Sequence, residues 1–285
     1  MAEQPPSGTR PPSPSGIRPP SGVRPPPRDV VELRALAERQ PELAPAANLH
    51  AELVESVRRV QLRITTPWIE SSDEDLASRL ASAKPLVSFE QIAFDWPDVR
   101  LLFRQVTDIF RRYEAIDAET SDRLHDIGRG ADLGDIVRTW LSHGTAPGVE
   151  MLDEALAWAV RPYLVRAAEV LQQRTALDKW RGRRCPVCAA EPEFGVLTVS
   201  GDRHLLCPRC QTRWQADAVA CVFCAIEDPR RVRTLTTADG HYRVASCQAC
   251  GRYLKMLDSR KAGRPLLAYY DPIATLPLDA ALMKK

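Results

Sequence analysis

Apolar residues recur at intervals of three and four through much of the first 180 positions, and this spacing predicts amphipathic helices. The clearest runs are Leu49, Leu53, Val57, Val60 and Ile64, and then Leu102, Val106, Ile109, Phe110 and Tyr113. Pro97 lies where the second of these helices would begin. A third run covers about 149–179 and contains Pro162, which should kink or split the helix. We expect six to eight helices in a bundle-like α-helical domain over residues 29–180.

The pattern changes after residue 180. Residues 194–207 contain two short β-prone runs around Ser-Gly-Asp, and residues 232–247 contain two more around Asp239-Gly240. Turn-forming dipeptides between β-prone runs predict β-hairpins. The tail from Leu266 to Lys285 is expected to add a strand and a short helix. The predicted fold class is therefore α+β, with an N-terminal α-helical bundle followed by small β-containing modules.

The N-terminal segment 1–28 differs in composition from the rest of the chain. It holds ten of the 24 prolines and repeats the pattern Ser-Gly-x-Arg-Pro-Pro from Ser7, Ser15 and Ser21. Such a Pro/Ser/Arg-rich stretch buries too little apolar surface to fold, so we expect a disordered tail with polyproline character. Docking to a Pro-recognising partner and a solvated extension without a partner both remain open.

Overall composition narrows the setting in which the protein works. Of the 285 residues, 44% are hydrophobic, which allows a sizeable core, and the net charge is +2. No apolar run approaches the roughly 18 residues of a membrane-spanning helix. The N-terminus also lacks the apolar segment of a secretory signal. We therefore expect a cytoplasmic protein without a membrane span.

All eight cysteines lie late in the chain and form four Cys-x-x-Cys pairs, here called knuckles. The knuckles are Cys185/Cys188, Cys207/Cys210, Cys221/Cys224 and Cys247/Cys250. Eighteen residues separate the first knuckle from the second and 22 separate the third from the fourth, and each gap holds a predicted hairpin. Only ten residues join the second knuckle to the third. The order knuckle, hairpin, knuckle thus occurs twice, which predicts one module over 181–216 and another, with the C-terminal tail, over 217–285.

Two facing knuckles bring four thiolates together. Four thiolates make a tetrahedral site that suits zinc or a single iron ion, and the spacing is close to that of known four-cysteine zinc sites. We expect two mononuclear four-cysteine sites that hold iron or zinc. Other pairings, such as the first knuckle with the fourth, remain open but need longer chain closures.

Three other uses of the knuckles compete with this interpretation. A thioredoxin-like thiol oxidoreductase needs one Cys-x-x-Cys pair at a helix start, and iron–sulfur clusters use more compact cysteine runs. A zinc-ribbon nucleic-acid-binding adaptor shares the spacing. However, residues 181–285 hold 17 Lys/Arg against 10 Asp/Glu, and two occupied four-thiolate sites would reduce that excess. Nucleic-acid modules are usually more basic and carry interleaved aromatics, so nucleic acid is the less favoured partner.

No set of catalytic residues is apparent. None of the five histidines stands with a Ser or Cys nucleophile in a recognisable motif, and the chain has neither Gly-x-x-x-x-Gly-Lys nor Gly-x-Gly-x-x-Gly. His204 and His241 each precede a knuckle, and we expect them to be surface strand residues. The sequence therefore predicts a protein that is not an enzyme.

Several stretches resemble the formate dehydrogenase accessory (formation) protein family. They are CPVCAAEPEFGVL at Cys185, HLLCPRCQTRW at His204, ACVFCAIED at Ala220, SCQACGRYLKMLD at Ser246, DPIATLPLD at Asp271 and, more loosely, RALAERQPELAP at Arg34. The resemblance implies an α-helical domain followed by two tandem rubredoxin-like (zinc-ribbon-like) metal-binding modules, with all eight cysteines as ligands. It also implies a cytoplasmic chaperone that binds the catalytic subunit of formate dehydrogenase and helps it to become active.

One feature departs from the rubredoxin pattern. A knuckle of that type usually has glycine after its second cysteine, because the residue there needs a positive φ. Gly251 meets this requirement, but Ala189, Gln211 and Ala225 occupy the equivalent positions. We expect these three knuckles to be slightly distorted.

Contact with the client is expected from the helical domain, the cleft between the modules, or both. Trp214, Arg252 and Tyr253 lie near the knuckles and are candidate partner-binding residues; packing around the metal sites is the alternative role. A homodimer also remains open.

Overall fold

The computed structural model describes residues 26–65, 67, 69–217 and 220–283. Most of the predicted tail over 1–28 therefore lies outside the described residues. The α+β class is confirmed, because helices occupy the first part and a sheet follows. Among the described residues, no helix has the length and apolar character needed to cross a bilayer.

In the part of the chain that the structure describes, seven α-helices precede the sheet, within the predicted range of six to eight. They are α1 (Arg28–Arg39), α2 (Ala44–Gln61), α3 (Asp73–Ala81), α4 (Trp96–Arg112), α5 (Ala118–Arg129), α6 (Leu133–His143) and α7 (Leu152–Arg174). Side-chain caps mark several starts, since Ser72, Asp95 and Asp117 each accept a hydrogen bond from a backbone N–H three residues later. Pro97 occupies the first turn of α4, as predicted.

The helix α7 runs through the centre of the helical domain. It packs against α2 and α4, and most of its residues are buried. Of the two predicted outcomes at Pro162, a kink or a split, the split is wrong, because the helix is continuous across this residue. Burial on nearly every side supplies packing energy that offsets the backbone hydrogen bond that proline cannot donate.

Within the described residues, six strands form one sheet, which includes the strands of both predicted modules. They are β1 (Phe194–Leu197), β2 (Arg203–Leu206), β3 (Arg213–Ala216), β4 (Val232–Thr236), β5 (Tyr242–Cys247) and β6 (Tyr253–Asp258), in the order β3-β2-β1-β6-β5-β4. The predicted hairpins are β1–β2 and β4–β5. Parallel pairing of β1 with β6, in the register Phe194↔Lys255, joins the two halves.

The chain after the sheet is helical. Its segments are α8 (Ser259–Ala262), α9 (Tyr270–Ala274) and α10 (Leu276–Met283). The strand expected between Leu266 and Lys285 is absent from the described part of that tail, so this prediction is wrong. The extra strand is β6, which precedes the tail and completes the sheet beside β1 and β5.

The helical domain and the first half of the sheet share one core. Buried helix residues and the four cysteines of the first two knuckles belong to the same apolar cluster. The backbone N–H groups of Leu86 and Val87 donate to the carbonyls of Pro186 and Val187, at 2.8 and 3.1 Å, inside the first knuckle. The helical domain therefore packs directly against this knuckle.

The C-terminal tail is also tied to the first helix. The Oδ1 atom of Asp29 in α1 accepts hydrogen bonds from the backbone N–H groups of Tyr269 and Tyr270, at 2.7 and 3.1 Å. Desolvation raises the pKa of Asp29, although these bonds oppose the shift. One side chain thus joins residues 240 positions apart.

Replacing Asp29 tests this link. We expect Asp29→Ala to lower the free energy of unfolding by about 1 kcal/mol, since two backbone donors lose their partner. Asp29→Asn keeps a neutral acceptor and should lose less. Urea denaturation of the two variants measures the difference. Equal losses in both would show that the hydrogen bonds contribute nothing beyond packing.

Candidate metal centres

All four knuckles have the same backbone hydrogen bonds. In each one, the N–H of the residue after the second cysteine donates to the carbonyl of the first cysteine, at 2.9 to 3.2 Å. The N–H of the first cysteine donates to the carbonyl of the residue five positions later, at 2.8 to 3.0 Å. The turn is thus closed from both sides, which sets the two sulfur atoms of each knuckle close together.

The residue after each second cysteine adopts a left-handed conformation. The φ angles are 57° at Ala189, 59° at Gln211, 62° at Ala225 and 71° at Gly251. The distortion expected in the three knuckles that lack glycine is wrong, because they keep the same φ and the same hydrogen bonds as the glycine-containing knuckle. The three non-glycine residues instead carry the conformational cost of a positive φ.

The first cluster consists of Cys185, Cys188, Cys207 and Cys210, and all four are buried. The Sγ–Sγ distances are 3.4 Å between Cys185 and Cys210, 3.5 Å between Cys188 and Cys207, and 3.7 Å between Cys188 and Cys210. A tetrahedron with Zn–S bonds of about 2.3 Å has edges of about 3.8 Å. The arrangement therefore fits one tetrahedral metal ion.

Neighbouring donors point at the sulfur atoms of this cluster. The backbone N–H groups of Arg209 and Cys210 donate to the Cys207 Sγ atom at 3.4 Å, and the Thr212 hydroxyl lies 3.1 Å from the Cys210 Sγ atom. Burial raises the pKa values of Cys185 and Cys210, whereas hydrogen bonds from the other thiols lower that of Cys188. The donors can stabilise some negative charge, but four buried thiolates need a cation.

The second cluster consists of Cys221, Cys224, Cys247 and Cys250, with ligand atoms within 4.8 Å of one another. The Sγ–Sγ distances are 3.9 Å between Cys221 and Cys250 and 3.7 Å between Cys224 and Cys247. Cys224 is exposed and Cys250 is half-buried. Desolvation opposes ionisation of Cys247, but backbone N–H groups of Cys250 and Ala249 and nearby thiols lower its pKa to about 7. This cluster is thus reachable from solvent.

A small group of side chains holds the third knuckle against the first module. The Arg252 guanidinium lies 3.8 Å above the Phe223 ring and pairs with Glu191 at 2.7 Å. From the other side, Arg183 donates to the Phe223 carbonyl at 2.6 Å. The sequence analysis did not identify Arg183 or Thr212 as residues of the metal centres. The one sequence feature that could have indicated them is their position next to a knuckle.

The three predicted partner-binding residues differ in how far the structure exposes them to solvent. Trp214 is only 1% exposed, and its Nε1 donates to the Gly182 carbonyl. Tyr253 is half-buried, and its hydroxyl donates to Asp279 at 2.7 Å. Arg252 is 47% exposed at the rim of the second cluster. Trp214 therefore occupies a packing position, and Arg252 is the most accessible of the three.

The two histidines next to the knuckles are not members of either cluster. His204 lies half-buried on β2, and His241 pairs with Asp239 in the turn before β5. Both clusters consist of cysteines alone, and the knuckles pair first with second and third with fourth. The alternative pairing of the first knuckle with the fourth does not occur.

The fold and its clusters define a class: a helical domain joined to a six-stranded sheet that carries two four-cysteine sites. The fold resembles the crystal structure of the FdhE protein from Pseudomonas aeruginosa, with a TM-score of 0.67, 19% identity and 90% of each chain covered. A search against family models found no match.

Sequence comparison points to the same proteins. The FdhE homologue of Aquifex aeolicus is 23% identical over 86% of each chain. FdhE of Salmonella arizonae is 30% identical over 128 residues, which span 44% of this chain and 41% of that protein. Together with the shared fold, these matches confirm the resemblance predicted from the sequence: the chain is similar to FdhE proteins.

Exchanging alanine and glycine tests the conformational cost in the knuckles. Ala225 and Gly251 are both exposed in the second cluster, and a Cβ at Gly251 would meet no other atom within 4 Å. We expect Ala225→Gly to raise the free energy of unfolding, and Gly251→Ala to lower it, by about 1 kcal/mol each. Denaturation of the metal-loaded protein measures both effects.

A helical site provides the control for this pair. Ala280 is exposed in α10, where glycine costs conformational entropy, so Ala280→Gly should lower stability by about 0.5 to 1 kcal/mol. Loss of stability in Ala225→Gly as well would contradict the proposed cost of the positive φ.

Proposed function

We propose that this protein is a cytoplasmic accessory factor that helps formate dehydrogenase to mature and binds its catalytic subunit. The observation that carries the proposal is the pair of four-cysteine clusters on a frame shared with FdhE proteins. Its task would be to hold and prepare a client protein rather than to turn over a substrate. A homodimer is compatible with this role.

We also propose that each cluster holds one iron or zinc ion, with all eight cysteines as ligands. The metal in the first cluster would stabilise the fold, because the free energy of binding to buried thiolates contributes to folding. The metal in the second cluster would exchange or react more readily, since Cys224 is exposed and Cys250 is half-buried.

The rim of the second cluster supports a contact with the client. It presents the partly exposed Arg252 on top of the Phe223 ring, and Arg183 lies beside it. An arginine stacked on an aromatic ring keeps its remaining N–H groups available for a partner and loses little entropy on binding. We propose that this surface contacts the catalytic subunit.

Metal removal tests the difference between the clusters. Anaerobically purified protein should contain two metal ions per chain, and a chelator should remove one much faster than the other. Cys224→Ser should leave a folded protein with one metal, whereas Cys188→Ser should lose several kcal/mol of stability because its cluster lies in the main core. Metal analysis and circular dichroism measure both outcomes. Equal release rates, or fewer than one metal per chain, would contradict the assignment.

Co-purification tests the client. Tagged protein should retain a formate dehydrogenase catalytic subunit, and Arg252→Ala should reduce the retained amount at least about fivefold, as expected when a contact residue worth about 1 kcal/mol or more is truncated. Arg230→Ala is the matched control, because Arg230 is 92% exposed in the turn that precedes β4. Metal content must stay unchanged in both variants. Equal retention would show that the rim is not the contact.

A further inference from the structure

A cleft opens where the helical domain, the second knuckle and the C-terminal tail meet. Its volume is about 400 Å³, and its walls include His50, Trp140, Arg161, Arg209 and Tyr269. These residues come from α2, α6, α7, the second knuckle and the segment before α9. Arg209 belongs to the second knuckle, where its backbone N–H donates to the Cys207 Sγ atom, but none of these five side chains is a cysteine ligand or part of the proposed client contact.

Arg161 is a buried cation without an acidic partner in contact. Its side chain is only 8% exposed, and its guanidinium lies 4.0 Å from the Trp158 ring centroid and 5.3 Å from that of Tyr269. The Nε atom has no hydrogen-bond partner. In the described part of the chain Arg161 forms no salt bridge, although its charge acts on the carboxyl of Glu193. Aromatic rings offset only part of the cost of burying such a charge.

Arg209, also in the wall of the cleft, repeats this arrangement. It is also 8% exposed, and its guanidinium lies 3.8 Å above the Trp140 ring. One Nη2 bond, to the Gly144 carbonyl at 2.9 Å, holds it in place. Across residues 26–65, 67, 69–217 and 220–283, Arg209 likewise has no ion pair. Two stacked guanidinium groups therefore line one cavity, and neither forms a salt bridge within the described residues.

Three carboxylates also line the cleft, on Asp153, Glu154 and Glu193, and within the described residues none of them forms an ion pair with either arginine. Asp153 already accepts hydrogen bonds from the Thr145 hydroxyl and the Ala146 N–H, at 2.7 and 2.8 Å. Desolvation raises the pKa of the Glu193 carboxyl, and the positive charge of Arg161 opposes this shift.

The histidine of the cleft carries no charge near neutral pH. Burial, together with the nearby Arg161 charge, lowers the pKa of His50 to about 4. A hydrogen bond to the Ala46 carbonyl acts in the opposite direction. The ring is therefore neutral near pH 7, and the two arginines are the cations that face the cavity.

We propose that the cleft is an oxyanion site, which binds a carboxylate or phosphate group of a small ligand between Arg161 and Arg209. A guanidinium group offers N–H donors in a planar fork that matches both groups. The stacked rings orient each fork and exclude water from its faces. The bound oxyanion would supply the negative charge that these two buried arginines lack.

Titration of the full, metal-loaded chain tests this site. Inorganic phosphate and acetate are added separately at constant ionic strength, with chloride as the background ion, and intrinsic fluorescence reports on Trp140 and Trp158. We expect saturation below about 50 mM for at least one ion, and the tighter ion identifies the ligand class. Arg161→Gln and Arg209→Gln should each weaken binding at least about tenfold.

A second variant moves the affinity in the opposite direction. Glu193→Gln removes a competing negative charge and should tighten binding, which a merely structural role for the arginines would not predict. Arg129→Gln, outside the cleft, should leave binding unchanged. The comparison stays decisive if Arg161→Gln does not fold, since Arg209→Gln and Glu193→Gln still report on the site. No saturation, or the same affinity in wild type and all three cleft variants, would overturn the proposal.

Discussion

Four thiols in the main core are the constraint on which the rest of the structure depends. Three of their sulfur–sulfur distances are 3.4 to 3.7 Å, and burial raises the pKa values of Cys185 and Cys210. Four such groups ionise together only around a cation. Because the backbone of Leu86 and Val87 pairs with the first knuckle, the same cluster also anchors the helical domain to the sheet.

The two clusters share their backbone geometry but differ in their surroundings. The parallel pairing of β1 with β6 joins two hairpin modules into one sheet, yet the first module is the one whose knuckles lie in the core with the helices. The second cluster remains at the periphery, with Cys224 exposed. Knuckles with the same backbone geometry therefore lie in different environments, and burial rather than ligand identity distinguishes the two clusters.

Much of the architecture was predictable from local signals. Helical spacing predicted the bundle, Asp239-Gly240 marked a hairpin, and the regular knuckles predicted two cysteine clusters. Predictions from single residues were less secure. Pro162 does not end α7, because packing on nearly every side outweighs a local preference. Ala189, Gln211 and Ala225 adopt the positive φ that glycine would favour, because the closing hydrogen bonds of each knuckle require it.

The sequence by itself determined the order of the elements, the grouping of cysteines into pairs, and the resemblance to a family. These depend on spacing along the chain, which local geometry converts directly into structure. Only the tertiary structure decided that one cluster is buried and the other accessible, that Trp214 is enclosed while Arg252 is exposed, and that two arginines from distant elements line one cleft. Burial and unpaired charge depend on which segments meet in space, and no local pattern in the sequence determines which segments meet.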